Sequence, residues 1–269
     1  MQIYKGMNIG TAKITPDETQ GIKHYMIDFI EPNKRYNVSE YKLDAEKAIK
    51  EILSKGKIPI IVGGTGLYID SIIYGIEFQK EEVDEEYRAY LNDRAEKEGL
   101  NNLYEEASKI DSKAMEKISP NDKKRIIRVL EIYHKTGKTK TEQEIESRKK
   151  DVKYNYHVFA IDMERQILYD RINKRVDIMV EQGLIEEVKE IVRKYEKFPT
   201  AMQGLGYKEV VEYLEGKTTK EEMIEKIKQE TRHYAKRQLT WFRKNKETIW
   251  LDGTKPVEEN LRIILELIG

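Results

Sequence analysis

The chain has 269 residues, 49 Lys and Arg against 49 Asp and Glu, 39% apolar residues and no cysteine. That content supports a sizeable core, excludes disulfides and thiolate metal sites, and suits a reducing cytoplasm. No apolar run approaches the roughly 20 residues of a membrane span, and a formal net charge of zero says nothing about partners until the charges are mapped.

The opening stretch, "MQIYKGMNIGTAK", keeps a loose two-residue apolar rhythm through Met1, Ile3, Met7 and Ile9, punctuated by Gly6 and Gly10. It carries neither the charged region and apolar core of a secretory signal nor a helix cap, so it reads as the middle of a structure. Three short apolar runs predict buried strands: "YMIDFI" (25–30), "IPIIV" (58–62) and "HVFAIDM" (157–163). "IPIIV" barely alternates, as expected of a parallel strand covered on both faces. Between the first two runs a helix is predicted, capped by Ser39, striped by Leu43, Ala48, Ile49, Ile52 and Leu53, and stopped at Gly56. Strand, helix and strand in that order imply a right-handed crossover and a parallel sheet.

From 79 to 150 the strands vanish, and "EEYRAYLNDRAEKEGLNNLYEEASKI" and "NDKKRIIRVLEIYHKTG" read as helices closed by Gly- or Pro-containing turns. This stretch is expected to be a helical insertion. Its charge is segregated: 81–98 is acidic, whereas 123–150 is basic through Lys123, Lys124, Arg125, Arg128, Lys135, Lys138, Lys140, Arg148, Lys149 and Lys150. Such a run is either a footprint for a polyanion or a solvated helix face. The core resumes at "HVFAIDM", followed by a long helix broken at Gly183, a basic helix "ETRHYAKRQLTWFRKN", a last strand "TIWLD" and a closing helix "PVEENLRIILELI".

"IPIIV" runs into Gly63, Gly64, Thr65 and Gly66 and then a helix. Such a junction sits at the carboxyl edge of a parallel sheet, where glycines admit a ligand to the backbone and a helix N-terminus favours negative charge. The same glycines could simply turn the chain. The phosphate loop G-x-x-x-x-G-K-[ST] is not present: Gly137-Lys138-Thr139 follows a helix, and position 132 is Ile. Gly137 reads as that helix's stop. Arg171 and Arg175 are four apart on one helix and share a face. Two guanidiniums there suit a diphosphate, which Arg grips bidentately, unless they pair with Asp170 or Asp177 on the helix surface. Lys228, Arg232, Lys236 and Arg243 follow one face with Tyr234, Trp241 and Phe242 interleaved. That pattern fits RNA, or core aromatics ringed by snorkelling cations. Four scattered His suggest no transition-metal site, and Asp28 and Asp162 lie in strand runs without an assignable role.

Taken together, "MQIYKGMNIGTAK", "IPIIVGGTGLYIDSIIYG", "DRINKRVDIMVEQGL", "GLGYKE" and "YAKRQLTWFRKN" resemble, in order and context, the bacterial tRNA dimethylallyltransferases over essentially the whole chain. The resemblance implies an α/β fold: a P-loop-kinase-like parallel-sheet core, N-terminally truncated, formed by 1–78 and 151–269, with a tRNA-binding helical insertion at 79–150. It implies transfer of a dimethylallyl group from dimethylallyl diphosphate to N6 of the adenosine at position 37, 3′ to the anticodon, in tRNAs reading codons that begin with U. The implied partners are the tRNA anticodon stem-loop, dimethylallyl diphosphate and Mg²⁺, for a cytoplasmic monomer without membrane contact. In the family, Asp-Ser precedes "MQIYKGMNIGTAK", and a strand, phosphate loop and helix precede that, comparable to the roughly 30 residues of a βαβ element. Those pieces hold the diphosphate and Mg²⁺ anchors and the general-base Asp, so this chain is expected to be inactive or nearly so and to be injured in its fold.

By resemblance, Met1 and Gln2 match the tail of a tRNA-contacting segment, Thr65 the Thr of the glycine turn with Gly63, Gly64 and Gly66 around it, and Arg88 a basic residue of the insertion. Lys124, Arg125, Ile126, Ile127 and Arg128 match a second tRNA-contacting run, although the family often has Gln where Lys124 stands. Tyr207 and Lys208 are placed with the tRNA-binding set. Arg175, helped by Arg171, is the expected stabiliser of the leaving diphosphate. The rival readings are an isopentenyltransferase acting on free adenine nucleotides, against which the basic insertion argues, and a non-catalytic tRNA-binding fragment.

Overall fold

A computed structural model describes residues 1–78, 84–148 and 152–268. Lys149 and Lys150 of the basic run, and Glu81 and Glu82 of the acidic run, lie outside the described residues. In chain order the regular elements are α1 (Val38–Ser54), α2 (Gly66–Ile73), α3 (Glu85–Lys97), α4 (Leu100–Ile110), α5 (Ser112–Met115), α6 (Lys123–Thr136) and α7 (Lys140–Ser147). They continue with β1 (Phe159–Asp162), α8 (Arg165–Glu181), α9 (Leu184–Lys194), α10 (Tyr207–Leu214), α11 (Lys220–Phe242), β2 (Ile249–Asp252) and α12 (Val257–Ile268). The chain divides into two compact units, one made of 1–69 and 155–269 and the other of 70–154.

In the first unit β1 and β2 pair in parallel, from Phe159 opposite Ile249 to Asp162 opposite Asp252. The chain reaches β2 from β1 through the helices α8 to α11, the crossover a parallel pair requires. The expected strands at 25–30 and 58–62 do not form. Within 25–30 only Ile30 bridges Tyr4, because Met26 and Asp28 adopt left-handed backbone angles of +63° and +56° that break an extended run. At 58–62, Pro59 offers no N–H, and no described residue pairs with the segment. Its side chains face water, with Ile60 81% and Val62 90% exposed.

The helices follow the local chemistry more closely. The cap of α1 is Asn37, not Ser39: its side chain accepts from the Ser39 and Glu40 backbone N–H groups, and Glu40 returns the bond to the Asn37 N–H. Only Ala45 and Ile49 of that helix are buried, so its apolar stripe is narrower than expected, and Leu43 and Leu53 are exposed. Gly183, at φ +100°, separates α8 from α9 as expected. Helix α11 starts ten residues before the basic stretch, where Thr219 and Glu222 form a capping box. The core of this unit gathers Tyr4, Met7, Val176, Leu184, Val188, Tyr207, Val210, Met223 and Ile227.

The regular elements of the second unit, among its described residues, are all helices. Leu91 of α3, Leu103 and Ala107 of α4, and Ile126, Val129 and Leu130 of α6 form its core. Burying each large aliphatic contributes about 1.5–3 kcal/mol. Asp122 caps α6, and Gly137, at φ +67°, ends it. Thr139 then opens α7 with a capping box, so Gly137-Lys138-Thr139 is a helix-to-helix turn and not a phosphate loop. Buried Asp111 joins three short pieces by accepting from Ala114 N, Thr141 N and Thr141 Oγ1. Burial alone would raise its pKa, but the bonds from Thr141 and Ala114 outweigh that and hold it below the ordinary carboxylate range.

Candidate functional site

The glycine turn is shaped by helix α11. Gln238 Nε2 donates to Gly64 O at 2.8 Å, and the Trp241 indole lies over Gly66. A Cβ at Gly64 would meet Gln238 at 1.8 Å, and one at Gly66 would meet the indole at 2.3 Å. Close approach of the rigid indole therefore calls for glycine at 66, whereas at 64 the flexible Gln238 amide could swing aside and Gly63 has open space around it. Thr65 is exposed at the start of α2, its carbonyl accepting from Tyr68 N and Ile69 N.

Helix α8 buries Ile172 and Val176 and leaves Arg171 and Arg175 on its outer side. Neither of the expected surface acids is spent on them: Asp170 accepts from Gln166, and Asp177 pairs with Lys228 at 2.8 Å. Arg171 Nη1 donates to Gly253 O at 3.2 Å, just after β2. Arg175 makes no hydrogen bond or ion pair among the described residues. An arginine left without a partner on a helix otherwise laced with contacts is available to an anion.

The basic face of α11 is largely engaged. Lys228 holds Asp177 and Glu225, Arg232 donates to Asn173 Oδ1 at 2.6 Å and Arg243 pairs with Asp162 at 3.1 Å. Lys236 alone of the four has no partner for its side-chain ammonium among the described residues, its carbonyl accepting from Thr240 Oγ1 at 2.9 Å. The aromatics Tyr234, Trp241 and Phe242 are half-buried, with cations beside them: Arg237 lies 5.8 Å from the Tyr234 ring and Lys244 5.0 Å from the Trp241 ring. The Asp28 carboxylate holds the buried Lys13.

Within the helical unit, Arg88 grips Glu131 bidentately, Nε to Oε1 at 2.5 Å and Nη2 to Oε2 at 3.0 Å. Those bonds raise the guanidinium's pKa further. Arg128 approaches the same carboxylate at 3.7 Å. Ile126 and Ile127 are 0% and 5% exposed, so in the run Lys124 to Arg128 they supply core and only Lys124, Arg125 and Arg128 face solvent. Arg125 pairs with Asp122 at 2.9 Å, while Lys124 has no partner among the described residues.

Tyr207 is fully buried and cannot touch a ligand directly, whereas its neighbour Lys208 is exposed. Met1 packs on Gly204, and Gln2 Nε2 donates to the Thr11 and Ala12 carbonyls, each at 3.1 Å. One residue that the sequence did not single out stands at this point: Glu187 of α9, whose carboxylate meets both Tyr207 and the opening loop. Its only sequence signal is its place beside the buried stripe of Leu184, Val188 and Ile191. No three His, Asp or Glu side chains converge to hold a metal ion among the described residues. No helix among them is long and apolar enough to cross a membrane.

These features define an α/β protein with a helical unit inserted between residues 69 and 155. The IPP transferase family description matches residues 2–245, and the chain belongs to that family of prenyl-transferring enzymes. It is 47% identical over 275 residues to a tRNA dimethylallyltransferase of Acetivibrio thermocellus, covering 100% of this chain and 88% of that protein. Among solved structures it is similar to the tRNA isopentenylpyrophosphate transferase of Bacillus halodurans, with a TM-score of 0.72 and 40% identity over 99% of this chain and 84% of that one. It is also similar to a eukaryotic dimethylallyltransferase acting on tRNA, with a TM-score of 0.76 and 30% identity over 94% of this chain and 65% of that one. The α/β, P-loop-kinase-like class expected from the sequence holds, with a smaller parallel sheet than the apolar runs suggested.

Proposed function

We propose that this chain, as a cytoplasmic monomer, serves dimethylallyl transfer from dimethylallyl diphosphate to N6 of adenosine 37 in tRNAs reading codons that begin with U. The observation that carries this reading is the match to a tRNA dimethylallyltransferase along the full length of the chain. In the reaction the N6 lone pair forms a bond to C1 of the dimethylallyl group. The C1–O bond breaks with its electron pair leaving on diphosphate, and N6 loses a proton. The target base sits in the stacked anticodon loop, so it must be turned out to be reached.

Charge builds on the departing diphosphate, and a preorganised cation stabilises it. Arg175 supports that role because it is exposed and uncommitted, on a helix anchored through Ile172 and Val176. Arg171 adds a second guanidinium one turn earlier, steadied by Gly253 O. Mg²⁺ belongs to this reading as a counter-charge on the diphosphate, and no three His, Asp or Glu side chains converge to cage it among the described residues. Lys124, Arg125 and Arg128 of α6, with Lys236 of α11, are the exposed cations that this reading assigns to tRNA phosphates.

The test is incorporation of labelled dimethylallyl into an anticodon stem-loop RNA by the purified chain and its Arg175→Ala variant. Measurable incorporation by the parent chain would overturn the expectation of inactivity, and replacing Arg175 should then lower that kcat by roughly 100- to 1,000-fold, as for other single charge-stabilising groups, and leave RNA affinity unchanged. Arg175→Lys should recover only part, since an ammonium lacks the planar fork. Salt-dependent binding of the stem-loop with no turnover by the parent chain, together with no coding sequence upstream of Met1, would favour the non-catalytic RNA-binding reading instead. Labelling of free AMP in preference to RNA would favour the nucleotide transferase.

A further inference from the structure

We infer that Glu187 and Tyr207 are positioning residues that lock the opening loop, residues 7–13, and through its Thr11 and Ala12 carbonyls hold Gln2, which resemblance places among the tRNA contacts; the RNA part of this inference rests on that placement and on the functional reading above. The Glu187 carboxylate accepts four hydrogen bonds. Oε2 takes Asn8 N at 2.8 Å and Ile9 N at 2.7 Å, and Oε1 takes Gly10 N at 3.2 Å and the Tyr207 hydroxyl at 2.5 Å. Four donors match the roughly four lone-pair sites of an ionised carboxylate. Three successive backbone N–H groups turned to one anion form a nest of the kind that elsewhere binds phosphate. Here the anion is supplied by the chain itself, from a helix 177–179 residues away.

The remaining parts of the contact are fitted to this arrangement. A Cβ at Gly10 would lie 2.5 Å from the Tyr207 ring, so the loop passes the buried ring only as glycine. Burial, with the bond to Glu187, raises the Tyr207 pKa, so the hydroxyl remains a donor. The loop then closes on itself, with Thr11 Oγ1 donating to Met7 O at 2.7 Å and Lys13 N to Asn8 O at 2.9 Å. Its outward carbonyls, Thr11 and Ala12, hold the Gln2 side chain. Apolar packing already buries Tyr4 and Met7. The carboxylate contributes something that packing does not: it sets the rotation of the three peptide planes from 8 to 10, and through Thr11 and Ala12 the place of Gln2. Tyr207 therefore acts on RNA through Glu187 and this loop.

Glu187→Gln keeps the side chain's size but offers one acceptor oxygen and an N–H₂ group to three backbone donors. In the full chain, the amides of Asn8, Ile9 and Gly10 should exchange with deuterium at least tenfold faster while those of α9 and α11 stay unchanged. The Kd for an anticodon stem-loop RNA should rise about tenfold, about 1.4 kcal/mol. Tyr207→Phe removes one of the four donors and should shift both readouts in the same direction by about threefold. The inference is overturned if amides 8–10 keep their parent exchange rates, or if they are freed and RNA affinity does not change. Should Glu187→Gln lose protection throughout, Tyr207→Phe decides by the same two criteria. A parent chain that does not bind the stem-loop overturns the functional reading and the RNA half of this inference, whereas the exchange rates judge the clamp separately.

Discussion

Two pairs of adjacent isoleucines meet opposite fates in this molecule. Ile60-Ile61 sits in the purest apolar run of the chain, and Ile60 is 81% exposed; Ile126-Ile127 sits between lysines and arginines, and Ile126 is fully buried. Apolar content therefore does not decide burial. Helix α6 satisfies its own backbone, takes a cap from Asp122 and needs only to lay one side against α3 and α4. An extended segment must borrow its hydrogen-bond partners from a neighbouring strand, and 58–62 has none among the described residues.

The contrast can be broken at several points. Ile126→Ala should cost the helical unit roughly 3 kcal/mol, within the 2–5 kcal/mol typical of deleted core aliphatics, read by urea unfolding. Glu131→Gln removes the carboxylate that Arg88 grips and Arg128 approaches, and should cost about 2 kcal/mol, because two guanidiniums are left crowded beside a half-buried site. Ile60→Thr, in the exposed run, should change stability by no more than about 0.5 kcal/mol in the same urea unfolding. A loss at position 60 as large as that at position 126 would mean that the two segments are buried alike.

The features legible in the sequence were those that depend on nearest neighbours. Gly137 and Gly183 mark helix ends because only a left-handed residue fits there, and both do so in the structure. The strands β1 and β2 were legible as the apolar runs "HVFAIDM" and "TIWLD", whereas the parallel crossover was expected between 25–30 and 58–62 and forms between these two instead. What escaped depended on distant partners. Nothing local in "YMIDFI" announces left-handed Met26 and Asp28, the latter holding Lys13. Ile126 and Ile127, grouped with RNA contacts by resemblance to a family run, turn inward. Glu187 was invisible because the groups it binds are backbone N–H donors, which carry no residue identity.

The chain contains two tryptophans, and one of them lies directly on the glycine turn: the Trp241 indole covers Gly66. The turn thus carries a built-in optical probe. An event that lifts residues 63–66 away from α11 would change the solvent around that indole, so its emission would follow the turn in real time with no dye attached. Trp250, in β2, reports on the sheet, and replacing it with Phe would leave a single signal belonging to the turn.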